Sequence, residues 1–140
     1  LKKIGTKKEF KMNKSIILLV MIFLGSNLYA NELWSVAELK TKIDQSSETL
    51  VLLDVRTVEE FDSGRIKNSI NIPHELLLSN IELVSKYSDE QLVVYCHSGK
   101  RAGLVIEVLE KHGFTNIVDI EGDILAWSQS NYPLVGKQVN

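Results

Sequence analysis

Cysteine is nearly absent from this chain of 140 residues, and Cys96 is the only one. A lone cysteine excludes a disulfide within the chain. One cysteine and three histidines without close pairing also do not form a zinc-ligand pattern, so no metal site is predicted. Cys96 is therefore a partner in an intermolecular disulfide, a free reactive thiol or a small buried apolar residue.

A broad cationic surface is also missing. Residues 1–30 hold six lysines and one acidic residue, Glu9, so the rest of the chain has 10 Lys+Arg (16 minus 6) against 17 Asp+Glu (18 minus 1). The resulting net charge of −7 speaks against binding to nucleic acid or to anionic membranes, because both need clustered positive charge. The length predicts one domain, and 44% hydrophobic residues are ordinary for a globular protein.

The apolar run near the N-terminus is too short to cross a membrane. Ile16 to Leu24 comprises nine residues, whereas a spanning helix needs about 20. Lysines precede this run and a small, polar segment ending in Ala30 follows it, which is the layout of a secretory signal peptide. We expect residues 1–30 to be this signal and residues 31–140 to be the mature domain.

Cleavage is expected after Ala30, and Met12 is a more typical signal start than Leu1. Export would place the domain in the periplasm of a Gram-negative bacterium or outside the cell, with no stable membrane anchor after cleavage. An uncleaved signal remains the alternative.

Strand and helix patterns alternate along the mature chain. Two short strands are apolar throughout, which predicts an α/β fold: a parallel sheet of about five strands with helices on both faces. Ligands of such sheets bind at the carboxyl ends of the strands, where Cys96 lies. The predicted strands are 50–55, 69–72, 91–95 and 117–120, and the predicted helices are 35–43, 57–64, 74–87, 101–112 and 123–130.

Two of these helices begin with capping boxes, in Ser35-Val36-Ala37-Glu38 and Thr57-Val58-Glu59-Glu60. In the helix 101–112, one face is predicted to be apolar. Its members are Leu104, Val105, Val108 and Leu109.

The segment from Cys96 to Arg101 (CHSGKR) suits an anionic sulfur. Backbone N–H groups of a short loop can surround one anionic atom, and the following helix presents the positive end of its dipole. Lys100 and Arg101 add positive charge, and a guanidinium can bind a sulfonate through two hydrogen bonds. Gly99 permits backbone angles that other residues avoid. A persulfide or an anionic donor such as thiosulfate would be stabilised in the same way.

The chain resembles the rhodanese homology domain over nearly all of residues 33–134. Four blocks in the right order carry the resemblance. They are Leu53–Phe61 (LDVRTVEEF), Gly64–Pro73 (GRIKNSINIP), Tyr95–Arg101 (YCHSGKR) and Glu121–Trp127 (EGDILAW), with Tyr132-Pro133-Leu134 completing the last one. Arg65 stands where the family usually has His, Lys67 where it often has Pro, and Asp123 where Gly is common. Asp123 is expected to affect a turn at the rim of the site.

The resemblance implies a single-domain sulfurtransferase without metal or organic cofactor. The Cys96 thiolate would attack the outer sulfur of a donor such as thiosulfate, sulfite would leave, and cyanide or a thiol acceptor would take the sulfur from the Cys96 persulfide. The acceptor thiol could belong to a protein. His97, Ser98, Gly99, Lys100 and Arg101 are the candidate substrate-binding residues, and His97 is expected to shape the pocket rather than act as a base.

Asp54 and Arg56 are candidate supporting residues. Asp54 ends a strand at the ligand-binding edge and is a candidate for a hydrogen bond to the Cys96 loop. Arg56 is expected to pair with an acid such as Glu60. A structural role is favoured for both.

Two other functions stay open. A phosphatase or arsenate reductase of a related fold has five residues between its Cys and Arg, whereas four separate Cys96 from Arg101. That shorter loop favours a single sulfur over a tetrahedral oxyanion. A partner-dependent persulfide carrier, a binding module rather than a freely turning-over enzyme, would have the same loop.

Overall fold

The computed structural model describes residues 31–45 and 50–136. The predicted signal segment 1–30 lies outside the described residues, and so do residues 46–49 and 137–140. Of the helices in the described ranges, none combines the length and the apolar character that crossing a bilayer demands.

The described residues form one parallel sheet of five strands, which confirms the predicted α/β fold. The strand order is β1-β5-β4-β2-β3, so the strand that precedes Cys96 lies at the centre, where both its edges are paired. The strands are β1 (Glu32–Trp34), β2 (Leu50–Asp54), β3 (Ile70–Asn71), β4 (Gln91–Tyr95) and β5 (Ile117–Ile120).

Helices cover both faces of this sheet. They are α1 (Val36–Gln45), α2 (Val58–Ser63), α3 (His74–Ser79), a 3-10 helix (Ile81–Tyr87), α4 (Lys100–Lys111) and α5 (Asp123–Gln129). Both predicted capping boxes form: the side chains of Ser35 and Thr57 accept from the N–H groups of Glu38 and Glu60, whose carboxylates accept in return. These bonds satisfy N–H groups that have no partner inside the helix.

The alternation of side chains along β4 divides the core into two layers. Leu92 and Val94 pack with Cys96 and with α3, α4 and the 3-10 helix on one face. Val93 and Tyr95 pack with α1 and α5 on the other. Because successive side chains of a strand point to opposite faces, a fully apolar strand such as β4 requires both layers.

The structure corrects the predicted elements in three places. Strand β1 carries no sequence signal, because three residues are too few to show a period. The predicted helix 74–87 divides at Asn80, whose extended backbone (φ −149°) separates α3 from the 3-10 helix without a glycine or proline to indicate it. In α4 the buried face consists of Ala102, Val105, Ile106 and Leu109, whereas Leu104 is 47% exposed.

Candidate active site

The candidate site lies where β4 ends. Strands β2 and β4 run side by side in register, Asp54 opposite Tyr95, so the segments that follow them meet at one edge of the sheet. Residues 96–99 connect β4 to α4. The carbonyl groups of Cys96 and His97 accept from the N–H groups of Ile124 and Leu125 at the start of α5, at 3.3 and 3.2 Å. These bonds attach the loop to a second element.

The sulfur of Cys96 is positioned by its own loop. Cys96 is 1% exposed, and the N–H of Gly99 donates to Sγ at 3.2 Å. Gly99 has φ +97°, in the left-handed region that a side chain rarely adopts. A Cβ added there would also lie 3.2 Å from Oδ2 of Asp123. The loop therefore needs glycine here both for its backbone angle and for space.

Arg101 is held beside the sulfur by an acid on α2. Nη1 and Nη2 of Arg101 donate to the two carboxylate oxygens of Glu60 at 2.6 and 2.8 Å. The hydrogen bonds from Arg101 hold the pKa of Glu60 down at about 2, against the opposing effect of partial burial. The pKa of Arg101 is raised, chiefly by Glu60 and to a smaller extent by the Cys96 thiol, which lies within hydrogen-bonding reach.

The other loop residues line an open cleft of about 530 Å³ above Cys96. His97, Ser98 and Lys100 are exposed there. The cleft is lined by Glu60, His74, Cys96, His97, Ser98, Lys100, Arg101 and Leu104. The structure thus brings all the predicted loop residues to one place, with Gly99 forming the turn beneath. Glu60, which the sequence suggested as a partner of Arg56, is an additional member, as are His74 and Leu104.

Asp123 reaches Cys96 from α5. Its backbone has φ +54°, the left-handed region favoured by glycine and tolerated by aspartate. The carboxyl is directed inward: Asp123 is 2% exposed, and Oδ1 accepts from the backbone N–H of Cys96 at 2.6 Å. The departure at this position therefore adds a buried carboxyl next to Cys96. The sequence indicated only a turn, because nothing local shows where the side chain points.

Asp54 and Arg56 form a separate, buried ion pair. Nη2 of Arg56 donates to Oδ2 of Asp54 at 2.6 Å and to the carbonyl of Gly64 at 2.8 Å, and its Nε and backbone N–H also donate to Asp54. Burial disfavours the charge of Arg56, but the hydrogen bonds from Arg56 to Asp54 prevail and its pKa is raised.

Arg56 pairs with an acid, as predicted, but that acid is Asp54 and not Glu60, because Arg101 engages both carboxylate oxygens of Glu60. Among the described residues, the Asp54 carboxylate accepts hydrogen bonds from Arg56 and not from residues 96–101, so the expected bond to the Cys96 loop is absent.

The remaining departures lie away from the cleft. The guanidinium of Arg65 stacks on the ring of Phe61 at 4.6 Å, and Lys67 is exposed; neither lines the cleft. In the described ranges, His, Cys, Asp and Glu side chains do not gather in a group of three or more that could hold a metal ion.

Comparison with known proteins gives concordant matches. A family model described as "Rhodanese-like domain" matches residues 35–130. A protein named "Sulfurtransferase" from Allochromatium vinosum is 28% identical over 92 residues, which are 66% of this chain and 84% of that protein. A "Putative sulfur carrier protein YrkF" from Bacillus subtilis is 29% identical over 96 residues, 67% of this chain and 49% of its own length.

Among solved structures, the crystal structure of a rhodanese-related protein from Thermoplasma volcanium superposes with a TM-score of 0.65 and is 35% identical. It covers 74% of this chain, and the match covers 97% of that protein.

Proposed function

This chain belongs to the rhodanese-like domain family, and we propose that it is a sulfurtransferase that carries one sulfur atom as a persulfide on Cys96. The observation that carries the proposal is the position of the Cys96 sulfur: it lies at the floor of an open cleft, accepts from the N–H of Gly99 and adjoins the guanidinium of Arg101. N–H groups and cations around one sulfur stabilise an anionic thiolate or persulfide.

The proposed reaction has two steps. The Cys96 thiolate attacks the outer sulfur of an anionic donor such as thiosulfate; a new S–S bond forms, the donor's S–S bond breaks and sulfite leaves. Cyanide or a thiolate acceptor then attacks the outer sulfur of the persulfide and returns Cys96 as thiolate. This division into two displacements is typical of covalent catalysis.

We assign different tasks to the two cations. Both terminal nitrogens of Arg101 are engaged by Glu60, so the guanidinium is fixed beside the sulfur and balances the charge of the persulfide. Lys100 is exposed at the cleft, where a flexible ammonium can attract an anionic donor from solution.

A persulfide carrier that serves one protein partner is the second candidate, and the surface near the cleft favours it. Leu104, Leu125 and Leu134 are 47, 41 and 40% exposed, and they line the cleft or the groove that adjoins it through Glu60 and His97. Apolar side chains at a reactive site suit contact with another protein better than capture of a small anion.

We also propose that the protein acts outside the cytoplasm, since residues 1–30 have the layout of a signal peptide. The N-terminal residue of the protein recovered from fractionated cells tests this: a start at Asn31 in the periplasmic or secreted fraction supports export, and an intact N-terminus in the cytosol contradicts it.

The test of sulfur transfer is intact mass spectrometry of the protein after incubation with thiosulfate, beside a Cys96→Ala variant. We expect the mass to rise by one sulfur atom in the parent alone, and cyanide to remove that atom with formation of thiocyanate. Loading with thiosulfate but slow release to cyanide and fast release to a protein thiol would favour the carrier. Hydrolysis of an aryl phosphate or reduction of arsenate without sulfur loading would contradict both candidates.

A further inference from the structure

Among the described residues, the buried carboxyl of Asp123 forms no ion pair. In the described ranges the ion pairs join other residues, and Asp123 makes none with Lys or Arg. Its carboxylate accepts a hydrogen bond from the Cys96 N–H at 2.6 Å. An ionised carboxylate at 2% exposure is costly unless it is paired, or unless it can take up a proton.

The groups around this carboxyl are few and can be named. The Cys96 thiol lies within hydrogen-bonding reach, and the second oxygen faces Gly99. Asp119 on β5 and His97 in the loop act on it through their charges. Burial raises the pKa of Asp123, aided by the charge of Asp119, while hydrogen bonds from Cys96 and the charge of His97 oppose the rise.

We propose that Asp123 accepts the thiol proton of Cys96 when the sulfur becomes a nucleophile. The inference rests on the proposed function in that Cys96 is the nucleophile. A buried carboxyl that accepts from the backbone N–H of Cys96 lies next to the thiol of the same residue, so it is placed to take this proton without water.

The proton balance of the first step follows from this placement. Cys96 in its thiol form and Asp123 in its carboxylate form react with the donor; the proton moves from Sγ to the carboxyl while the outer sulfur of the donor bonds to Sγ and sulfite leaves. The site then holds a persulfide anion beside a neutral carboxylic acid, and its net charge of −1 is unchanged. When the acceptor thiolate removes the outer sulfur, the proton returns from Asp123 to Cys96.

A purely structural role would be different. Asp123 could simply hold the loop through the Cys96 N–H, and an asparagine would then serve equally, because its carbonyl oxygen accepts the same bond and asparagine also tolerates a positive φ. Asparagine cannot take up a proton. Asp123→Asn therefore separates the two roles, and Asp123→Gly, which installs the residue common in the family, is a second variant without a proton acceptor.

The experiment measures the rate of Cys96 alkylation by iodoacetamide against pH in the full chain, which needs no sulfur donor. In the parent, transfer of the thiol proton to the Asp123 carboxylate during the attack keeps Cys96 reactive at low pH. We expect both variants to react about tenfold or more slowly than the parent near pH 6 and to approach it at high pH. Glu107→Gln, which removes an exposed carboxylate paired with Lys111 on α4, should keep the parent profile.

Parallel pH profiles of the parent and Asp123→Asn, or faster alkylation of Asp123→Asn at low pH, would overturn the proposal. A second readout uses ¹³C-carboxyl-labelled aspartate and NMR: the Asp123 signal should report protonation when Cys96 carries a persulfide. Alkylation profiles as expected without any sulfur loading would refute the proposed function and leave the Asp123–Cys96 proton transfer standing.

Discussion

The ends of the neighbouring strands β2 and β4 carry charged groups at the same edge of the sheet. The groups after β2 are paired with one another, whereas those after β4 line a cleft. After β2, Asp54 and Arg56 are 0 and 5% exposed and use their hydrogen bonds on each other and on the Gly64 carbonyl. After β4, Cys96 faces an open cleft, and the charges around it include an exposed lysine. We call these two strand ends the β2 corner and the β4 corner. The charged side chains of the β2 corner use their hydrogen bonds within the protein, whereas the β4 corner has groups exposed to a ligand.

The contrast shows that position in the fold does not by itself make a site. The carboxyl edge of a parallel sheet gathers polar side chains from several strands, but a ligand needs donors that the protein has not already used. At the β2 corner the side chain of Asn71 adds two more bonds, to the carbonyls of Asp54 and Arg56. The side chains of the β2 corner are therefore engaged with one another, and we assign the proposed chemistry to the β4 corner.

The strongest test of this division is Asp54→Ala. It leaves the Arg56 charge buried without its partner, which costs about 3–5 kcal/mol of the free energy of unfolding. Urea unfolding measures this loss, and sulfur loading per folded molecule should persist. Lost loading with unchanged stability would assign the β2 corner to the active site.

Lys100→Gln should have the next largest effect. Removing the exposed cation from the cleft is expected to raise KM for thiosulfate about fivefold with little change in kcat, because it weakens attraction of the anion before chemistry. Steady-state kinetics at low and high salt give the measurement, since salt screens this attraction. Lys111→Gln, at the far end of α4, is the matched control and should leave KM unchanged.

Glu60→Gln should produce a smaller, pH-dependent effect. The folded-state pKa of Glu60 is lowered from 4.5 to about 2, so its pair with Arg101 stabilises the fold above pH 4.5 and is lost as pH falls toward 2. With the Glu60 side chain 34% exposed, solvent screening limits the contribution to about 1 kcal/mol or less. The difference in urea midpoint between parent and variant should shrink across that window, and a constant difference would contradict the assignment.

The smallest effect is expected for Glu107→Gln. Glu107 pairs with Lys111 on the outer surface of α4 at 2.6 Å, where both side chains are well exposed. Exposed pairs of this kind contribute little, so neither the unfolding midpoint nor sulfur loading should change. A clear fall in the unfolding midpoint or in sulfur loading would mean that the exposure of an ion pair does not indicate how much it contributes in this protein.

Local sequence was sufficient for several features because their causes are local. The capping boxes at Ser35 and Thr57 form between residues three apart, and the apolar runs of β2 and β4 require a sheet covered on both faces. The loop at Cys96 was predicted as well, since strand, glycine and helix follow one another within a few residues.

Long-range pairing could not be predicted in the same way. Glu60 lies close to Arg56 in sequence, yet it binds Arg101, 41 positions away, because the fold brings α2 next to the start of α4. Asn80 divides a helix without a breaker residue, and Leu104 faces the cleft although helical period groups it with the core. Each outcome depends on which surface another element presents.

The sequence by itself determined the α/β class, the parallel direction of the strands and the loop at Cys96. Their signals are hydrophobic periodicity, capping residues and a glycine, and each of these acts over a few residues. Only the tertiary structure decided which acidic side chain pairs with which basic one. It also decided that the carboxyl of Asp123 points inward to Cys96, which lies 27 positions away in the chain. A buried charge finds its partner through space, so its role is set by packing and not by its neighbours in the chain.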